Sequence, residues 1–192
     1  MKKVIITLFL VLCMAGAVWA TPVMFTPDVS GSSVTVIDNA KWGNMKGTLA
    51  LAASPFTLAD GITQTINFFT LTASGIAFNK NYSVEAKLAF SAPLIESEGD
   101  GSGKFTTIFG LLSGGTLTWD PATIPNIFTL ADGNQIKIDF ENGSTIGFGN
   151  TATVHAYITN LGGATAVPEP ITILLLGLGL VGIAGIRRKI KK

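Results

Sequence analysis

Between Thr21 and about Ala166 the chain keeps returning to one pattern: short apolar-polar alternations that stop at clusters of glycine, asparagine or aspartate. Alternation at period two buries one face of a strand and lays no apolar stripe along a helix, whose period is 3.6. No stretch in this region keeps a long helical period free of glycine. Tyr82 to Ser91 is the clearest run, with Val84, Ala86, Leu88 and Phe90 set against Glu85, Lys87 and Ala89. Other runs are Val34 and Val36 with their neighbours, Gly47 to Leu51, Phe105 to Phe109, Thr116 to Trp119, Gln135 to Glu141 and Thr151 to Thr159. Gln64 to Ala73 is longer and predicts Ile66, Phe68 and Thr70 on one face. Such spacing predicts an all-β fold, an antiparallel β-sandwich or jelly roll, with apolar rows between two sheets and Thr, Ser and Lys outward. About 145 residues suffice for one domain with a core of its own.

Phe56-Thr57-Leu58-Ala59-Asp60-Gly61 recurs letter for letter as Phe128-Thr129-Leu130-Ala131-Asp132-Gly133, and Ile66-Asn67-Phe68 corresponds loosely to Ile138-Asp139-Phe140. Asp-Gly accommodates positive φ between two alternating runs, so each copy predicts a hairpin turn. The two copies are either equivalent parts of two sheets, the trace of a duplication, or a good turn used twice.

The two ends have a different composition. Lys2-Lys3 precede the apolar run Val4 to Val18, which ends at Val18-Trp19-Ala20. This is the pattern of a secretory signal over residues 1–20, cleaved by signal peptidase after Ala20, with Ala17 as the alternative. Cys13, the one cysteine, follows Leu12 where a lipoprotein signal has a small residue, so it leaves with the signal. The exported chain then has no disulfide and relies on its core.

At the other end Val167-Pro168-Glu169-Pro170 leads into Ile171 to Ile186, sixteen residues without a charge, and then into Arg187-Arg188-Lys189. Each proline fixes its own φ and biases the preceding residue towards an extended conformation, so Val167 and Glu169 are presented as a peptidase accepts them. Sixteen helical residues span about 24 Å, short of a hydrocarbon core of about 30 Å. Gly177, Gly179, Gly182 and Gly185 weaken that helix further. Such a segment suits temporary retention better than permanent anchoring. Cations at both ends stay cytoplasmic, which exports the middle and makes the tail a stop.

This order of acidic motif, apolar segment and basic stop resembles the PEP-CTERM sorting tail handled by the membrane enzyme exosortase. Phe56 to Gly61 with Phe68-Phe69-Thr70-Leu71, and Ser113 to Trp119, look like the bodies of many small proteins of that kind, to which no chemistry is assigned. The resemblance implies a signal peptide (1–20), an exported β-sandwich domain (21–166) and a sorting tail (167–192). The tail comprises the motif Pro168, Glu169 and Pro170, a single transmembrane helix, and the basic stop Arg187, Arg188 and Lys189. It implies an inner-membrane intermediate with the body on the periplasmic side, processing by exosortase, and delivery to the cell surface or exopolysaccharide matrix.

Charge narrows the partners. Six lysines against twelve carboxylates leave residues 21–186 at a net charge of −6, hidden in a whole-chain value of +1. Nucleic acid is not expected as a partner for so acidic a body.

Catalytic machinery is thin. His155, the one histidine, alternates with Val154, Ala156 and Ile158 and is placed facing solvent on a terminal strand. No Gly-x-Ser-x-Gly elbow occurs, and one histidine without a retained cysteine argues against zinc. Glu96-Ser97-Glu98-Gly99-Asp100-Gly101-Ser102-Gly103 is read as a solvated acidic loop; calcium is the other reading, without the distal bidentate glutamate of an EF-hand. Trp42, Trp119, Tyr82 and Tyr157 are the rings available for stacking on a sugar, and at least two of them are expected in the core. The Asn81-Tyr82-Ser83 and Asn142-Gly143-Ser144 sequons carry little weight. No catalytic, cofactor-binding or metal-ligating residue is assigned. The expectation is a non-enzymatic structural or interaction protein, with an exopolysaccharide-binding sandwich as the alternative and an extracellular hydrolase further behind.

Overall fold

The computed structural model describes residues 22–38, 43–108, 111–144 and 151–163. The signal with Ala20, the tail with Pro168, Glu169, Pro170, Arg187, Arg188 and Lys189, and Trp42 lie outside the described residues. Within them the fold is all-β, in eleven strands. They are β1 (Val23–Asp38), β2 (Gly43–Leu49), β3 (Phe56–Leu58), β4 (Thr63–Gly75), β5 (Ala77–Ala92), β6 (Leu94–Ile108), β7 (Leu111–Trp119), β8 (Asn126–Thr129), β9 (Asn134–Phe140), β10 (Gly143–Ser144) and β11 (Thr151–Gly163). One antiparallel sheet has the order β10-β7-β6-β5-β1-β3 and the other β2-β4-β11-β9-β8.

The core lies between these sheets, and its rings lock them together. Trp119 of the first sheet meets Phe69 and Phe140 of the second edge-on, at centroid distances of 6.3 and 5.1 Å. Phe25, Phe56 and Phe90 form a second cluster. Each such pair contributes about 0.5–1.5 kcal/mol beyond simple burial. Val84, Ala86, Leu88 and Phe90 all point inward, as their alternation predicts.

Three expectations are corrected. The acidic stretch 96–103 is strand, not loop: it runs through β6, paired to β5 on one side and, from Gly101, to β7 on the other. Its inward positions include Gly99, Gly101 and Gly103, and the space a side chain would fill is taken by neighbours. A Cβ on Gly99 would lie 2.7 Å from Ile124 Cγ1, and one on Gly101 2.9 Å from Trp119 Cε3. Glu96, Glu98 and Asp100 face out. The alternation is real, but its apolar half belongs to other strands.

Second, the two Phe-Thr-Leu-Ala-Asp-Gly copies are not equivalent. The later one joins β8 to β9 as a hairpin, with Thr129 opposite Gln135. The earlier one crosses between sheets, because β3 pairs with β1 while β4 starts the other sheet. Both glycines do take positive φ, 75° at Gly61 and 87° at Gly133. The local turn chemistry is shared and the strand partners differ.

Third, Thr70 is not on the inward row of β4. The register against β11 shifts between Val154 and His155, which face Phe69 and Asn67 and leave Phe68 as the extra residue. This bulge buries both Phe68 and Phe69 and turns Leu71 and Ala73 inward beyond it.

Tyr82 illustrates the cost of a polar atom in this core. It is 3% exposed, and its hydroxyl donates to the Thr116 carbonyl at 2.7 Å. Burial pushes its pKa up to about 12. Below pH of about 10 both folded and unfolded chains keep the proton, and stability is independent of this group. Above that, the unfolded chain ionises first, so stability falls as pH rises towards 12, by about 2–3 kcal/mol in all. Urea titrations from pH 9 to 12 are expected to show this loss in the parent and a shallower one in Tyr82→Phe. Equal slopes in the two proteins refute the assignment.

Candidate functional site

The outer face of the second sheet gathers the polar side chains of three adjacent strands. Val154, Ala156 and Ile158 of β11 are buried, so His155, Tyr157 and Thr159 point outward. His155 is where its alternation places it, on the last strand of the described body, although that strand is central in its sheet. The register aligns Thr65, Tyr157 and Asp139 across β4, β11 and β9, and beside them Thr63, Thr159 and Lys137. Asn67 stands opposite His155.

These groups are tied to one another. His155 Nδ1 lies 2.6 Å from Glu141 Oε2, and the same oxygen accepts the His155 backbone N–H at 3.1 Å. Lys137 Nζ is 3.2 Å from Asp139 Oδ2, and the Thr63 and Thr159 hydroxyls are 2.8 Å apart. Tyr157 is half-buried, and its pKa is raised by desolvation first and then by the carboxylates of Glu141 and Asp139. The result is an aromatic ring set among hydroxyl, amide, carboxylate and ammonium groups. Asp139 on β9 and Glu141 just beyond its end both bring their carboxylates to Tyr157. Asp139 lies against the Lys137 ammonium and Glu141 against the His155 ring.

The other sequence candidates separate cleanly. Trp119 is 5% exposed and donates from Nε1 to the Glu141 carbonyl at 3.0 Å; with Tyr82 it belongs to the core. Of the rings considered for stacking, Tyr157 alone is accessible among the described residues. Glu96 pairs with Lys87 at 2.7 Å on the outer face of the first sheet. Among the described residues no three His, Cys, Asp or Glu side chains are placed to hold a metal ion. The Glu141–His155 pair was not visible in sequence, since it joins residues fourteen apart across a strand pairing.

Fold and tail together define the class: an all-β body followed directly by a sorting signal. Residues 166–189 match the PEP-CTERM protein-sorting motif, a span that includes Pro168, Glu169, Pro170 and the basic stop. The chain therefore carries an exosortase-dependent sorting signal of an exported protein, held at the membrane by its tail. The body, residues 22–163, lies outside that match. No curated protein and no solved structure matches the chain.

Proposed function

We propose that this chain is a non-enzymatic structural or interaction protein of the cell surface or extracellular matrix, processed at Pro168-Glu169-Pro170 by exosortase. The observation that carries the reading is the motif at residues 166–189, placed immediately after an all-β body. Signal peptidase removes residues 1–20, and the inner membrane holds the tail before processing. Mass spectrometry of the protein from native envelope and medium tests this. The expected species begins at Thr21 and ends near the Pro-Glu-Pro; a chain retaining Lys192 overturns tail processing.

A second reading has one observation in its favour: the open face around Tyr157, where a ring is flanked by Thr65 and Asp139 in register. A sugar stacks on such a ring and hydrogen-bonds to the groups around it, so an exopolysaccharide is the ligand this face suits. Tyr157 is half-buried, so Tyr157→Ala is expected to leave the fold intact and weaken retention on immobilised native polysaccharide at least tenfold, a loss of about 1.4 kcal/mol. Unchanged retention removes this reading and leaves the first.

A further inference from the structure

The outer face of the first sheet has its charges sorted along the strands. Towards one end Glu85 stands opposite Asp100, Lys87 opposite Glu98, and Ala89 opposite Glu96. Towards the other the register runs Asn81, Lys104, Thr116 across β5, β6 and β7. No carboxylate occurs on β5 before Glu85, on β6 after Asp100 or anywhere on β7. Four residues of strand, about 13 Å, separate Lys104 from Asp100. That exceeds the screening length of about 8 Å at physiological salt, so the acidic end does not cancel this lysine.

A cleft of about 320 Å³ opens at the basic end, lined by Asn79, Lys104, Thr106, Thr116 and the Gly114-Gly115 pair. Among the described residues Asn79 alone combines a side chain with positive φ, at 49°. Asparagine tolerates this left-handed bend where a branched residue would not. Its N–H donates to Thr106 Oγ1 at 3.0 Å, which fixes the bend against β6. Thr116 Oγ1 accepts the Lys104 N–H at 3.3 Å. Gly114 keeps the cleft open, since a Cβ there meets nothing within 4 Å. Lys104 is exposed, and no described carboxylate pairs with its ammonium, whereas Lys87 and Lys137 each have one. Phe78, 80% exposed, directly precedes Asn79 and leaves an uncovered ring at the same end of β5.

We propose that this cleft binds an acidic sugar residue, a pyranose ring that carries a carboxylate. The Lys104 ammonium meets the carboxylate. The Asn79 amide and the Thr116 hydroxyl, each able to donate and to accept, meet the ring hydroxyls. The Gly114-Gly115 pair leaves room for the ring, and the volume is at the lower limit for small-molecule sites, enough for a single sugar residue. Phosphate suits the cleft less well: it is best held by an arginine fork, and residues 22–163 contain no arginine. The cleft is on the opposite sheet from Tyr157, so it stands whether or not that face binds sugar.

The test titrates the full chain in a neutral detergent with glucuronate and with glucose, its uncharged match, followed by ligand-observed NMR. Glucuronate is expected to bind at least about tenfold more tightly than glucose, as a charge-assisted hydrogen bond allows. Lys104→Gln is expected to remove that advantage. Gly114→Leu, which fills the cleft and keeps the lysine, is expected to weaken glucuronate by a similar factor, with circular dichroism confirming that both variants are folded. Tyr157→Ala is expected to leave glucuronate binding unchanged. Equal binding of the two sugars, or parental glucuronate binding by Lys104→Gln, overturns the proposal. Acetate binding as tightly as glucuronate also overturns it, by marking a bare anion site. Loss of binding in Tyr157→Ala with retention in Lys104→Gln places the sugar on the other sheet and overturns the cleft alone. A tetrasaccharide of the same sugar acid separates the two sources of this chemistry: binding at least as tight as the monomer's assigns a polysaccharide, and exclusion assigns the free sugar acid.

Discussion

Replacing Gly103 with alanine is expected to destabilise the body by about 3 kcal/mol or more, at the upper end of what overpacking costs. Gly103 lies on β6 opposite Tyr82 on one side and Leu117 on the other. A Cβ there would collide with the carbonyl oxygen of Thr116, and would also stand 2.9 Å from Tyr82 Cε1. A flexible side-chain tip could swing away from such a collision; a strand carbonyl cannot. The same oxygen accepts the Tyr82 hydroxyl, so any shift that relieves the collision strains a buried hydrogen bond. Gly114 on β7 is the matched control, because a Cβ there meets nothing within 4 Å. Gly114→Ala is expected to stay within about 0.5 kcal/mol of the parent. Urea midpoints of the two variants decide the matter: equal midpoints mean that β6 and β7 are not packed as described.

Asn160→Ala is the second large effect, expected at about 3–5 kcal/mol. The side chain makes three hydrogen bonds from a fully buried position. Truncation removes these bonds and strands partners such as the buried Gly162 N–H, at about 1–3 kcal/mol for each group left unsatisfied. Asn160→Asp is expected to be worse still at neutral pH. It keeps the acceptor for Gly162 but sets a carboxylate where the amide donated to Asp60 Oδ1, 3.1 Å away. Hydrogen exchange reports the location of the damage. Protection is expected to fall first at Gly61 and along residues 160–163, and a uniform loss across all strands contradicts a local clamp.

What could be read without the structure depended on whether a strand carried its own apolar row. β5 and β11 did, and their inward rows follow from alternation, although β5 begins earlier, at Ala77, and β11 runs on to Gly163. β6 did not, since glycine occupies inward positions that Trp119, Ile124 and Phe140 fill from elsewhere. Its sequence then has the composition of a solvated loop. The crossing at Ala59-Asp60-Gly61 was hidden for another reason: a turn records its own φ angles, not which sheet the next strand joins. Likewise the face around Tyr157 was half legible. Alternation placed His155 outward, but only the pairing of β11 with β9 brings Glu141 to it. The sorting motif was legible because its message is linear, carried by consecutive residues rather than assembled from distant strands.

The glycine row of β6 has a bearing on the chain before it folds. In an unfolded chain, exposed alternating strands invite their neighbours to stack into fibrils. The segment destined for the middle of the first sheet is charged at every second position from Glu96 to Asp100 and offers only glycine and serine between those charges. It has little to stick with until the tryptophan and phenylalanine of other strands arrive over it, so the interior of that sheet is guarded from within until the fold closes.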